Sequence, residues 1–339
     1  MKNIPPVVFY GYEASPASAK LENVLALKCI PHYRVEVAMT LPRPEITDTL
    51  GIAYRRIPIL SIGNDVYCDT SLIIPALERR FPPSLGFPTL FPQRKDGAKA
   101  DTGMIKAFAA FYADRPLFTL GSNALPYNKF PPEMIADRSK FNGAPMDVEK
   151  AVARQPVVRS LLGSHATLLE EQLSDGREWV FDTVSVGCGD LALYCVYGWI
   201  VRFRGMKEVF NDKKFPKTFA WLGRMVEFEK TRRASIAHAI TKIDGAAASK
   251  IIADNINTHF LEVDFDDDEG RLLGLKLGDK VQVIPDDNAR NYPTIGKLIG
   301  LTREEIVLQL SGTGVPSLRC HFPRLNFSVN PATGATSKL

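Results

Sequence analysis

Between Arg55 and Ile74 the chain reads RRIPILSIGNDVYCDTSLII, and few folds accept such a stretch. Ile57, Ile59, Leu60 and Ile62 are apolar and β-prone, and Gly63-Asn64 separates them from Asp65-Val66-Tyr67-Cys68. Gly and Asn tolerate positive φ, so this two-residue break between β-prone runs predicts a hairpin. Asp69 or Thr70 then caps an apolar run from Ser71 to Leu77 that reads as a helix. Pro58 is the odd member. It has no N–H for a ladder, so within a strand it marks an edge or a special bend. An edge proline with no ligand and a bend that frees the Ile57 backbone for an extended ligand fit the residues equally well.

Upstream, Val7 to Tyr10 reads as a buried strand and Gly11 to Pro16 as a loop. Ser18 to Lys28 is helical, with apolar positions at Leu21, Val24, Leu25 and Leu27, and Cys29-Ile30-Pro31 ends it. Tyr33 to Val37 alternates as a second strand, and Leu41 to Leu50 is a polar connection with a short helix. The order β-α-β-α-β-β-α is the thioredoxin-like pattern. With the Ile-Pro strand, the tight hairpin and the acid-hydroxyl pair, residues 5–82 resemble the glutathione-binding half of a glutathione transferase, and the segment NVLALKCIPHYR fits that family in position.

The resemblance implies a cis Pro58, with Ile57 pairing the cysteinyl backbone of glutathione and Asp69 and Thr70 holding its γ-glutamyl group. The chemistry is sound: helix N-terminal N–H groups answer a carboxylate and Asp69 answers an ammonium. Taken alone, the Asp69-Thr70 pair reads as simple capping. In zeta- and omega-like members the activating Ser or Cys stands just ahead of the first helix, where this chain has Ser15. A hydroxyl there favours the glutathione thiolate over the thiol. Ser15 before Pro16 is also a good N-cap, and the two roles are compatible. Ser18 is the second candidate, and Tyr10 or Tyr12 the third. Arg43 stands where omega-like members have a lysine for the glycyl carboxylate; a solvated loop arginine is an equal reading. Arg55-Arg56 is expected to face solvent or a dimer partner.

Phe81 to Pro92 is a proline-rich linker, and residues 94–245 show helical periodicity. Expected helices run over 95–112, 147–173 (broken near Pro156), 190–201 and 215–228. The segment 190–201 is almost wholly apolar, which marks it as the buried central helix. The resemblance implies the all-helical transferase C-domain, whose central helix opens with Ser/Thr-x-x-Asp. Asp190 is in place, but Gly187 replaces the hydroxyl residue. Glycine remains an acceptable N-cap. A substrate pocket is expected between Ser15 and Tyr12 on one side and Phe108, Phe111 and Tyr112 on the other, although aromatics at that spacing more often fill a core. Residues 113–146, with five prolines, read as an insertion able to narrow the mouth of the site.

After Gly245-Ala246-Ala247-Ala248-Ser249 the period becomes alternating. Strands are expected at 260–265, 280–284, 295–301, 305–310 and 319–329, as a small barrel or sheet over 250–330. Some fungal transferase-like proteins carry such an extension, and this chain looks like them. Docking on its own chain is expected, because Leu272, Leu273, Leu275 and Leu277 exceed what an isolated small barrel would bury. The run Asp264 to Gly270 lacks the Gly and Glu that a calcium loop needs at its sixth and twelfth positions and reads as a solvated turn. His321 reads as structural, and residues 330–339 as a frayed tail.

The fold class is therefore α/β thioredoxin-like (1–82), then an all-α transferase domain (94–245), then a small mainly-β module. A net charge of +4 without a basic block argues against nucleic acid. The five cysteines form no C-x-x-C and read as reduced thiols, so a cytosolic protein is the default. The histidines show no metal spacing, and no apolar run reaches membrane-spanning length. The resemblance implies glutathione as substrate or cofactor, a small-molecule electrophile as partner, room for a homodimer, and a place in detoxification or secondary metabolism. The leading reading is glutathione transfer. Zeta-like cis-trans isomerisation and a non-catalytic binding protein are the alternatives.

Overall fold

The computed structural model describes residues 4–256, 263–310 and 314–332. β1 (Val7–Gly11) leads into α1 (Pro16–Leu27), whose N-cap Ser15 accepts from the Ser18 N–H at 3.1 Å. β2 (His32–Glu36), the short α2 (Pro44–Thr47), the hairpin β3 (Ile59–Ile62) and β4 (Asp65–Cys68), and α3 (Thr70–Arg80) complete the thioredoxin-like unit. The Ile57–Pro58 bond is cis. Gly63 takes a φ of 61°, the left-handed conformation the two-residue turn requires.

The helical part starts with α4 (Thr102–Phe108), which runs through a π-helical stretch at Ala109–Leu117 into α5 (Phe118–Asn123). α6 (Pro132–Asn142) lies in the inserted segment. The helix expected over 147–173 divides into α7 (Val148–Ala153) and α8 (Gln155–Gln172), with Pro156 in the first turn of α8. Proline fits there because a first-turn N–H has no partner inside the helix. α9 (Cys188–Ile200) is the buried central helix, and α10 (Pro216–Ile236) follows. Asp190 supplies the acidic half of the cap. Its oxygens accept from the N–H groups of Gly187 (3.2 Å) and Val180 (3.0 Å) and from Trp221 Nε1 (3.0 Å). Burial pushes its carboxyl up to about 6 against the pull of these bonds.

The chain then returns to the first domain. β5 (Ile240–Ile243) pairs in parallel with β2, and α11 (Gly245–Ala253) follows. α12 (Asp267–Leu273) precedes β6 (Lys280–Pro285), β7 (Thr294–Leu301), β8 (Glu305–Leu310), β9 (Leu318–Pro323) and β10 (Phe327–Pro331). β9 pairs in parallel with β4. Among the described residues, all ten strands thereby form one sheet, in the order β10-β6-β7-β8-β9-β4-β3-β1-β2-β5.

The extension is thus a sheet continuous with the thioredoxin-like sheet rather than a barrel. Its edge is sealed onto β4, so that strand's unpaired N–H and C=O groups are satisfied by β9. Other details differ from expectation. The acidic run opens α12, with Asp266 as N-cap accepting from the N–H groups of Asp268 and Glu269, because carboxylates are favoured at a helix start. The strand expected over 319–329 breaks at Asn326, which has a φ of 68°. Of the four leucines, only Leu275 is buried; Leu272 is 80% exposed and Leu277 61%. The expected strand at 260–265, the turn at 311–314 and the tail beyond 332 lie wholly or partly outside the described residues.

Side-chain alternation divides the sheet between two cores. Val7, Phe9, Leu60, Ile62 and Tyr67 join α1, α3 and the helical domain on one face. Val8, Tyr10, Ile59, Val66 and Cys68 join Ala248 and Ile252 of α11 and the strands of the extension on the other. This double burial is why β1 reads as an unbroken apolar run, and β3 as one interrupted only by the buried Ser61, instead of alternating.

Candidate functional site

A cavity of about 770 Å³ opens where the three parts of the chain meet. The α1 N-terminus contributes Ser15, the β3 entry contributes Ile57 and Pro58, and the α3 N-terminus contributes Asp69 and Thr70. Tyr12 and Arg43 also line it. The structure therefore brings together Ser15, Ile57, Pro58, Asp69, Thr70, Arg43 and Tyr12. Ser18 and Tyr10 are buried off the cavity.

Asp69 has a φ of 72°, which is costly for a non-glycine residue and is characteristic of functional positions. Its Oδ1 accepts from the Ser71 N–H (3.0 Å) and Ser71 Oγ (2.8 Å), and its Oδ2 from Tyr54 Oη (3.3 Å). A carboxylate has about four acceptor positions, so capacity remains on the cavity side. Burial, with the Asp69 charge beside it, holds the Tyr54 phenol well above its usual range, so it stays a donor.

Behind Thr70 lies an ion pair of a buried lysine and a half-buried aspartate that the sequence did not mark. Lys20 Nζ donates to Thr70 Oγ1 (3.0 Å) and to Asp114 Oδ1 (3.0 Å). Burial opposes the charge on Lys20, but Asp114 outweighs it and the ammonium is retained with a raised pKa. Burial also raises the Asp114 carboxyl, with Lys20 pulling against it. The pair ties α1 to the helical domain at the cavity lining, to which Asp114 contributes. Cys195 also faces the cavity, and burial pushes its thiol up to about 12, so it offers no thiolate near neutral pH.

Three expectations change. Arg43 is buried, and its guanidinium donates to the backbone oxygens of Ala38 (2.7 Å), Arg55 (2.6 Å) and Met39 (2.9 Å). It braces the loop that carries the cavity wall. Arg55 and Arg56 face the cavity rather than solvent or a partner. Arg55 pairs with Asp137 at 2.7 Å and stacks over Tyr292, while Arg56 pairs with Asp287 and donates to the Asn288 carbonyl at 2.6 Å. Phe108, Phe111 and Tyr112 do not line the cavity. Phe108 and Tyr112 stack on each other, against Phe181 and His165, and Phe111 is 49% exposed. The face one helical step round, Ala110, Asp114 and Phe118, is the one presented. The π-helical winding and the kink at Arg115 set this phase, and neither is legible in a 3.6-residue pattern.

The inserted segment and the extension form the outer wall. Met134, Arg138 and Phe141 project from α6 at i, i+4 and i+7. Opposite them stand Asp287, Asn288 and Asn326 of the extension. The two walls are joined: the Ala289 N–H donates to the Phe141 carbonyl at 2.7 Å, and Arg115 pairs with Asp287 at 2.7 Å. Period-based reading of α6 can find Arg138. Nothing local marks Asp287.

Among the described residues no group of His, Cys, Asp and Glu is arranged to hold a metal ion, and no helix is long and apolar enough to cross a membrane.

Residues 9–85 match the model of the glutathione S-transferase N-terminal domain, and residues 122–235 match a domain family of unknown function. No curated protein matches the chain. Among solved structures, a GST-like protein from Pseudomonas syringae is 24% identical, with a TM-score of 0.69 over 97% of this chain and 100% of that one. The glutathione transferase URE2P8 from Phanerochaete chrysosporium, solved with oxidized glutathione, is 15% identical, with a TM-score of 0.50 over 70% of this chain and 98% of that one. The P. syringae likeness spans the extension as well as the two domains before it. Residues 9–85 thus carry a glutathione S-transferase N-terminal domain, and the chain as a whole has the fold of a GST-like protein.

Proposed function

We propose that the protein binds glutathione in this cavity and transfers its thiolate to an electrophilic small molecule. The observation that carries the reading is the position of Ser15. It caps α1 in the same cavity wall as Ile57, Asp69 and Thr70. Its Oγ accepts from the Ser18 N–H, which leaves the hydroxyl proton to donate to a sulfur. The α1 N-terminus adds positive potential at the same place. Both favour thiolate over thiol, so the nucleophile is populated near neutral pH.

The other contacts follow from donor and acceptor bookkeeping. Thr70 Oγ1 already accepts from Lys20, so its own proton is left for the glutamyl carboxylate. The N–H groups at the start of α3 face the same carboxylate, and Asp69 answers the ammonium. The Ile57 backbone pairs with the cysteinyl residue. The sulfur then forms a bond to the electrophilic carbon, either as a leaving group departs with the bonding pair or as an activated double bond takes up a proton. The relative from P. chrysosporium holds oxidized glutathione on the same fold, which supports the choice of ligand.

Ser15→Ala is the test, assayed with glutathione and 1-chloro-2,4-dinitrobenzene. The variant should retain glutathione affinity and lose roughly 10²-fold in kcat, the lower end of the cost of removing one donor to a developing anion. Unchanged turnover would assign the thiolate to another group. Turnover of a conjugated double bond with no glutathione consumed marks an isomerase. Binding with neither marks a non-catalytic protein.

A further inference from the structure

We propose that the outer half of the cavity selects an electrophile bearing a carboxylate, held by Arg138; this rests on the transferase reading above. Five arginines line the cavity against three aspartates. Four of the five are engaged. Arg43 is bound to three carbonyls, and Arg55 to Asp137. Arg56 and Arg115 share the single carboxylate of Asp287. Arg138 has no carboxylate partner among the described residues. Its guanidinium lies 5.8 Å from the centroid of the Phe141 ring.

The acidic side chains of the cavity cannot serve it. Asp114 is held by Lys20, Asp69 caps α3 and faces Tyr54, and Asp287 already answers two guanidinium groups. A half-buried cation without a counter-ion is costly, and a ligand carboxylate removes that cost. A guanidinium is also suited to grip a carboxylate through two parallel hydrogen bonds. The surroundings define the rest of the ligand. Phe118, Tyr127, Phe130, Met134 and Trp199 line the same cavity. An aromatic or apolar body with one carboxylate matches this combination. The insertion that carries Arg138 therefore sets specificity, while the thioredoxin-like domain holds glutathione.

The experiment uses a matched pair of electrophiles, 4-chloro-3-nitrobenzoate and its methyl ester, with glutathione as co-substrate. In the native protein the acid-to-ester ratio of kcat/KM should exceed the ratio of their uncatalysed rates with glutathione. Arg138→Met should lower the acid's kcat/KM about tenfold, the scale of one charge-assisted hydrogen bond, and leave the ester and the glutathione KM unchanged. Arg138→Lys, which keeps the charge and loses the fork, should retain part of the preference. An acid-to-ester ratio equal in native protein and Arg138→Met overturns the proposal. So does a matching rise in glutathione KM, which would assign Arg138 to the glycyl carboxylate. If neither electrophile consumes glutathione, the transferase reading fails first. Calorimetric titration of both proteins with benzoate and benzamide then decides separately. Preference for benzoate that disappears in Arg138→Met supports the carboxylate site, and equal binding overturns it.

Discussion

Deletion of residues 245–339 is expected to leave no soluble, folded protein. The extension does not hang from the two preceding domains; it is part of the cover on one face of the central sheet. Val8, Tyr10, Ile59, Val66 and Cys68 are fully buried, and they pack with α11 and β6–β10 rather than with the helical domain. Burying one large apolar side chain contributes about 1.5–3 kcal/mol. Losing the cover from several such side chains removes as much as the whole net stability of a typical domain, about 5–15 kcal/mol. Deletion also strips β9 from β4, leaving an open apolar edge. Soluble yield and thermal unfolding of the truncated and full chains check this. A truncated protein with unchanged melting temperature and kinetics would make the extension an independent module.

His321→Ala is expected to cost about 3–5 kcal/mol, the scale for removing one partner from a buried ion pair. His321 sits on β9 at the seam with β4. Its Nδ1 lies 3.0 Å from Glu305 Oε2 and its Nε2 3.2 Å from Asp65 Oδ1, while its ring stacks on Tyr67 at 4.5 Å. All three side chains are almost fully buried. Burial alone would favour the neutral imidazole. The hydrogen bonds and charges of Asp65 and Glu305 outweigh it and raise the His321 pKa above its ordinary 6.5. On the carboxylates the balance also overcomes burial: His321 and Arg319 depress Asp65, and His321 and Arg79 depress Glu305.

The signs give opposite pH limbs. A raised histidine pKa contributes stability that is fully present below 6.5 and is lost as pH climbs through the folded value. The depressed carboxylate values contribute stability present above their ordinary 3.8 and 4.5 and lost as pH falls through the folded values. The native protein should therefore lose stability on the alkaline side of 6.5 through this cluster, and His321→Ala should flatten that slope. Melting temperatures across pH 5–9, roughly the range over which an imidazole titrates, measure both effects. A parallel pair of curves would show that His321 carries no charge in the folded protein.

What could be read from sequence is what local physics controls. The Gly63-Asn64 turn, the Ser15-Pro16 helix start and the Asp69 cap each involve neighbours a few residues apart, and each is as expected. The parallel pairing of β4 with β9 joins residues 254 positions apart, as Asp65 and Arg319 are, and no local pattern encodes it. Lys20 fails for a related reason. A lysine beside Leu21 on a helix reads as solvated until Asp114 arrives from another domain. Arg55 and Arg56 read as surface charges because their partners, Asp137 and Asp287, sit in the insertion and the extension. Phe108 and Tyr112 turn away from the cavity because the backbone is π-wound over Ala109–Leu117, which a 3.6-residue pattern does not reveal. The two elements that most depart from the simple transferase pattern, the insertion and the extension, are the ones that supply the outer half of the site.

Calorimetric titration with reduced glutathione tests the central claim most directly. The native protein should bind one glutathione per chain at millimolar concentration or below. Asp69→Ala should weaken that binding by about 1–3 kcal/mol, the cost of a charge-assisted hydrogen bond left unmade. Absence of heat at millimolar glutathione, or an affinity indifferent to Asp69, would contradict the account.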